Sequence, residues 1–199
     1  MIDFNDINSS EPYANFCNLY QQALEKNQSN IEAIAISSFN TSIKEVESRF
    51  VNLKYINNDE WIFFSNYNSP KASQFSAHQQ ISALFYWSST GTQVRIKANI
   101  FKTAQEFSDA HYLGRSVNKN ALAHSSNQSS HVESYDSVVG AYNRALSDDN
   151  LLSKRPTYWG GFSFKPYYFE FWQGAEHRLN KRDIYKIENN VWKHSMLQP

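Results

Sequence analysis

Residues 93–101 change face at every step, with Val94, Ile96, Ala98 and Ile100 on one side and polar neighbours on the other. Only an extended strand with one buried face reads that way, because successive side chains point to opposite sides of a sheet. The stretch Phe162–Trp172 repeats the rhythm with aromatic residues. Ala33–Ser37, Phe50–Ile56, Trp61–Ser65 and Ile81–Trp87 add shorter runs of β-forming residues. Asn57-Asn58-Asp59 reads as a hairpin turn between two of them, and Ser88-Ser89-Thr90-Gly91 as the link between two others. Asp183–Glu188 and Val191–Met196 are expected to pair across Asn189-Asn190.

Helical spacing interrupts this pattern in three places. Ser9-Ser10-Glu11-Pro12 has the chemistry of a helix start, and Tyr13, Phe16, Cys17, Tyr20 and Leu24 form one apolar stripe, so a helix is expected over about 11–26. Cys17 on that stripe reads as a small core residue. Ser69-Pro70-Lys71-Ala72 resembles a second capped start. From about 103 to 148 the pattern turns helical, with Phe107, Ala110 and His111 in one piece and Val132, Tyr135, Val138, Val139 and Tyr142 in another. The serine-rich residues 125–130 between them read as a solvated loop on composition alone. Strands, a helical insert, then strands from about 160 to 197 predict a single α+β domain over 1–199, mainly β, built round an antiparallel barrel.

Composition narrows the function classes. With 19 basic and 19 acidic residues in 199, no cationic excess points to nucleic acid. The single cysteine excludes an intramolecular disulfide and a cysteine-based metal cluster, and the six histidines lack metal-site spacing, so no metal is expected. No apolar run reaches the ~20 residues of a membrane span. The amino-terminal residues show no basic region followed by an apolar stretch, so the expected location is the cytoplasm. Glycine-rich phosphate loops, HExxH and GxSxG are absent. His177 beside Glu176 reads as structural. What remains is a set of cations on or beside strands. Arg49 opens a β-segment that Lys54 closes, Lys71 stands at a helix N-terminus, and Arg178 and Arg182 flank the turn after Trp172. Brought together, they would suit one or two phosphates on a flat ligand.

The segment Trp159-Gly160-Gly161-Phe162, followed by Phe169 to Arg182 (FEFWQGAEHRLNKR), resembles the carboxy-terminal signature of pyridoxamine 5'-phosphate oxidases, in which WGGF precedes IEFWQGxxxRLHxR. Upstream segments agree in order. Arg49–Lys54 resembles the RxVLLK strand, and Phe63–Asn66 with Ser69–Ala72 resembles the FYTN and SRKA elements. Gln93-Val94 resembles the RQV strand start, and Gln128-Ser129-Ser130 the QSS loop. The likeness spans roughly residues 12–199. It implies an antiparallel split β-barrel with flanking helices that binds FMN, and a homodimer with the cofactor between subunits. The implied activity is oxidation of pyridoxamine or pyridoxine 5'-phosphate to pyridoxal 5'-phosphate, with dioxygen as acceptor.

The resemblance also assigns roles. The cofactor contacts fall on Arg49, Lys54, Phe64, Ser65 and Lys71, and on Gln93, Gln128, Ser129, Trp172 and Arg182. Lys54, Tyr112 and Arg115 would hold the substrate phosphate, and Arg178 would cover the ring beside the reacting carbon as the catalytic residue. Departures gather on the substrate side. Asn180 replaces the family's histidine, Lys119 stands where a phosphate-gripping serine is expected, and Pro70 replaces an arginine. The family's RxxY segment has no counterpart in these 199 residues. The alternatives are a split-barrel protein that holds FMN or pyridoxal 5'-phosphate with weak or altered activity, and a reductase or haem-binding use of the same fold.

Overall fold

A computed structural model describes residues 1–199. Its strands are β1 (Asp3–Asn5), β2 (Ala33–Asn40), β3 (Glu45–Asn52), β4 (Tyr55–Asn57), β5 (Glu60–Asn66), β6 (Gln80–Trp87), β7 (Thr92–Lys102), β8 (Trp159–Gln173), β9 (Lys181–Glu188) and β10 (Val191–Met196). The helices are α1 (Glu11–Glu25), α2 (Pro70–Ala77), α3 (Gln105–Leu113), α4 (Val117–Ser125), α5 (Tyr135–Leu146) and α6 (Asp149–Leu152), with a short 3-10 turn at Glu176–Arg178.

All ten strands belong to one sheet ordered β1-β4-β5-β8-β7-β6-β2-β3, with β9 also on β8 and β10 on β9. Every pairing is antiparallel except β1 with β4. The path does not close on itself, so the fold is α+β and mainly β, a barrel left open. The fifteen residues of β8 make this possible. Trp159 to Phe164 pair with β5, Tyr168 to Gln173 with β9, and nearly the whole length with β7. A register shift between Lys97 and Ala98, opposite Pro166 and Tyr168, breaks the β7–β8 ladder, and such a bulge bends a sheet.

The aromatic residues fill the inside of this sheet. Trp61 is fully buried and lies within 4.5–6.4 Å, centroid to centroid, of Tyr13, Phe16, Phe85, Phe164 and Phe169. Helix α1 closes one mouth with Tyr13, Phe16, Leu19, Tyr20 and Ala23, while Cys17 on the helix flank is only half-buried. The glycines of the WGGF stretch have a steric reason. A Cβ at Gly160 would collide with the Tyr67 ring, and one at Gly161 would meet Thr103 Oγ1 at 2.5 Å.

Several expected boundaries move. The segment expected at Phe50–Ile56 is two strands. β3 begins at Glu45, so Arg49 sits in mid-strand rather than opening it, and the chain breaks at Leu53-Lys54 before β4. The Asn58-Asp59 and Asn189-Asn190 turns form as expected, with Asn58, Asn189 and Asn190 at positive φ. The insert holds one further helix, α4, and a short α6 follows it. The stripe Val138, Val139 on α5 faces outward, and only Ala145 of that helix is buried. Hydrophobic spacing identified α5 as a helix but not which side met the protein.

Truncating the central indole removes a large buried ring from a close-packed cluster. Trp61→Ala is expected to destabilise the fold by about 3–5 kcal/mol, read as a lowered urea midpoint. A loss below ~1 kcal/mol would show that the cluster is not the structural centre.

Candidate functional site

A cleft of about 550 Å³ opens where β5, α2, α3 and α4 approach one another. Lys54, Phe64, Ser65, Lys71, Arg115, Lys119 and Gln128, all singled out from sequence, line it, together with His111 and Trp159, which were not. Asp3 is the one carboxylate among the lining residues.

Burial makes the charges consequential. Lys71 near the start of α2 is 7% exposed, and its Nζ donates only to Ser65 Oγ at 3.4 Å and Ser69 Oγ at 3.3 Å. No carboxylate pairs with it. Burial first, and the neighbouring Arg49 charge second, push its ammonium below the ordinary lysine value. Arg49 reaches from β3 to donate to Ser38 Oγ at 2.6 Å and Gln74 Oε1 at 2.9 Å, with Glu47 at 3.4 Å on the outer side. Two cations held side by side beside a helix N-terminus repel each other until an anion joins them. That geometry fits a phosphate.

A second cationic group occupies the far side of the cleft. The Arg115 guanidinium lies over the Trp159 ring, 4.1 Å from its centroid, and donates through Nη2 to the Lys119 carbonyl at 2.9 Å. Its Nη1 is buried with no partner. An unpaired buried donor is costly, so this atom too is arranged for an acceptor from outside the chain. Lys54 stands nearby, 3.9 Å from Glu32. Tyr112, expected beside the substrate phosphate, instead buries its hydroxyl on the Leu152 carbonyl at 3.1 Å and His124 Nε2 at 3.0 Å.

The serine-rich loop is not the free segment its composition suggested. Gln128 Oε1 accepts from Ser65 Oγ at 3.1 Å and from the Asn66 amide at 3.3 Å, which ties the loop to the end of β5. Ser129 follows at positive φ and is exposed. His111 packs face to face on Phe64, centroids 3.6 Å apart at 9°. One face of Phe64 is therefore covered.

The remaining sequence-selected residues are elsewhere. Gln93, Trp172 and Arg182 stand in register across β7, β8 and β9. Gly160, opposite Ser65, begins the other end of β8 twelve residues earlier, up to about 40 Å along an extended strand. Arg182 donates from Nε and Nη2 to Glu170 Oε1 at 3.0 and 2.8 Å, and from Nη1 to the Gln198 carbonyl. Arg178 is exposed on the turn after β8, where both it and His177 have positive φ. Asn180 Oδ1 accepts from the Ala175 amide, so it closes that turn on itself.

Against known proteins, residues 159–199 match the family model described as the pyridoxine 5'-phosphate oxidase C-terminal dimerisation region. The pyridoxine/pyridoxamine 5'-phosphate oxidase 1 of Hydrogenovibrio crunogenus is 34% identical over 195 residues, covering 96% of this chain and 89% of that protein. The chain belongs to the pyridoxine/pyridoxamine 5'-phosphate oxidase family. The Cytophaga hutchinsonii member is also 34% identical, with 96% and 88% covered. Among solved structures, PhzG from Burkholderia lata, in complex with tetrahydrophenazine-1-carboxylic acid, superposes with a TM-score of 0.89 at 26% identity, covering 96% of this chain and 93% of that one. A pyridoxamine 5'-phosphate oxidase-related, FMN-binding protein from Nostoc punctiforme shares the fold at 12% identity and TM-score 0.79, with 96% and 99% covered. Membership in this oxidase family makes the chain an oxidoreductase. No helix is long and apolar enough to cross a membrane.

His111 and Trp159 escaped the sequence reading as site residues. Spacing gave no signal for the histidine, which showed only as one apolar-face position of a helix. Burial first, then Arg115, Lys54 and Lys119, hold its ring down at about 4, from an ordinary 6.5. In the unfolded chain the ring takes up its proton near the ordinary value, and in the folded protein only near 4. Its contribution to stability is therefore complete above pH 6.5 and is lost as pH falls toward 4. His111→Phe, which keeps a ring against Phe64, is expected to flatten that part of the denaturation midpoint's pH profile. Parallel wild-type and variant profiles between pH 6.5 and 4 would refute this electrostatic picture.

Proposed function

We propose that the protein is an FMN-dependent oxidase of a phosphorylated pyridine, converting pyridoxamine or pyridoxine 5'-phosphate to pyridoxal 5'-phosphate. The observation that carries this reading is one cleft lined by both Lys71, buried with no carboxylate partner, and Arg115, whose Nη1 donor is buried and unpaired. Arg49 and Lys71, steered by Ser38, Gln74 and the start of α2, would hold the cofactor phosphate. Lys54, Arg115 and Lys119 would hold the phosphate of the substrate, with Arg115 Nη1 supplying an unused donor. Gln128, fixed by Ser65 and the Asn66 amide, retains its amide N–H groups for the polar edge of a flavin or its side chain. FMN, when bound, supplies the hydride-accepting chemistry and passes the electrons to dioxygen.

The rest of the assigned site supports an assembly of two copies. Gln93, Trp172 and Arg182 lie at the opposite end of β8 from the cleft, within or beside the residues that match a dimerisation region. In a homodimer each cofactor would take its phosphate grip from one protomer and the Trp172 wall from the other. Glu170 would keep the Arg182 guanidinium oriented toward the ring's electron-rich edge. Arg178, on a strained exposed turn, would cover the reacting carbon of the substrate.

A different substrate is the second reading, favoured by Asn180 folding back on Ala175 and by Tyr112 turning its hydroxyl inward. PhzG, whose solved complex holds a tricyclic carboxylic acid, sets the alternative chemistry.

Purified protein should be yellow, and pyridoxamine 5'-phosphate added without oxygen should bleach it. Yellow protein that bleaches only with a carboxylated multi-ring donor would transfer the reading to the second class. Arg178→Ala should abolish bleaching while flavin stays bound, whereas Arg49→Ala should lose flavin first, by about one to two decades in affinity.

A shared site makes a further demand. Co-expressed Arg49→Ala and Trp172→Ala chains should recover tight flavin binding in mixed dimers, where one of the two sites is intact, although each variant alone holds it weakly. No recovery would place both residues in one protomer's site or in none.

A further inference from the structure

The three cations assigned above to the substrate phosphate are the same three that surround His111. Lys54 faces the ring from the β3–β4 connection, Arg115 from beyond α3, and Lys119 from α4. Asp3 on β1 is the one carboxylate lining the cleft, and Tyr55 on β4 is the other titratable group at the ring. The imidazole is clamped flat on Phe64, and Trp159 lies nearly parallel at 6.2 Å. Its Nδ1 is 2.8 Å from the Tyr55 hydroxyl. A phenol O–H is the better donor of that pair and an imidazole nitrogen the better acceptor, so Nδ1 accepts and the ring hydrogen resides on Nε2. The result is a fixed, neutral N–H donor at the wall of a cationic cleft, on a residue to which no family motif assigns a role.

We propose that His111 is a further binding residue for the phosphate ester, donating from Nε2 to a phosphate oxygen, and that a bound phosphate makes its ring easier to protonate. The inference rests on the phosphate reading of the cleft and deepens it. Burial does most to keep the empty-cleft ring neutral; a dianion among Lys54, Arg115 and Lys119 offsets the further repulsion from those cations and adds its own attraction. The incoming proton settles on Nδ1, and the Tyr55 hydroxyl turns from donor to acceptor. No other bond is made or broken. A carboxylate brings half the charge, so it recruits the proton less strongly, and the device favours phosphate esters over carboxylates of the same ring.

The experiment is an NMR titration of the imidazoles in histidine-labelled protein as purified. It is run with pyridoxal 5'-phosphate, with pyridoxal lacking the phosphate, and with neither. The His111 signal is assigned by its absence in His111→Phe, which keeps an aromatic ring on Phe64. The expected result is an upward displacement of the His111 titration by about one pH unit or more with pyridoxal 5'-phosphate and none with pyridoxal. His111→Phe should bind pyridoxal 5'-phosphate about tenfold more weakly near neutral pH with flavin content unchanged. Binding of pyridoxal 5'-phosphate without that displacement, or an equal displacement by pyridoxal, overturns the role of His111 and leaves the phosphate reading standing. Failure of pyridoxal 5'-phosphate to bind at all overturns both.

Discussion

Strand β8 is the constraint on which everything else hangs. Its fifteen residues pair with β5 at one end and β9 at the other, and with β7 almost throughout. Trp159 at its start lines the cationic cleft, and any side chain on the two glycines that follow would displace Tyr67 or Thr103. Trp172 and Gln173 at its end lead into the turn bearing Arg178. A strand this long cannot serve one compact site with both ends. It divides the residues assigned above into two groups, which in the proposed homodimer a second copy of the chain would reunite.

The cleft itself is built by tolerating electrostatic cost. Lys71 is buried beside Arg49 without a carboxylate, and Arg115 leaves a buried donor unused. Elsewhere the same protein satisfies its buried charges. Glu170 takes Arg95, Arg182 and the Tyr168 hydroxyl, and Asp183 takes Lys181 and His194. The contrast separates cations held by a buried carboxylate from Lys71 and the Arg115 Nη1 donor, which have none. Unpaired buried charge lowers the stability of the empty protein, and binding restores it.

Much of the site was legible before the fold. The FEFWQG…RLNKR run, the Arg49–Lys54 strand and the Ser69-Pro70-Lys71 helix start each bear a residue type that phosphate or a flat ring requires, in an order that a family shares. Composition rightly read the residues around 126–130 as an exposed loop but missed its tether, because Gln128 is held by Ser65 and the Asn66 amide through space. Residues 50–56 read as one strand because both halves favour β-structure, whereas the break at Leu53-Lys54 follows from the pairing of β3 with β2 and β4 with β5.

By itself, the sequence determined the elements and the chemistry: period-two strands, a capped amino-terminal helix, asparagine turns, and a conspicuous set of cations and amides. These are local properties, written in neighbouring residues. Only the tertiary structure decided that Lys71 and Arg49 face each other, that Tyr112 turns inward, and that His111 lies on Phe64 among three cations. Those contacts join positions far apart along the chain, and it is the packing of α2 and α3 against the sheet that gives them their distances and their electrostatic weight.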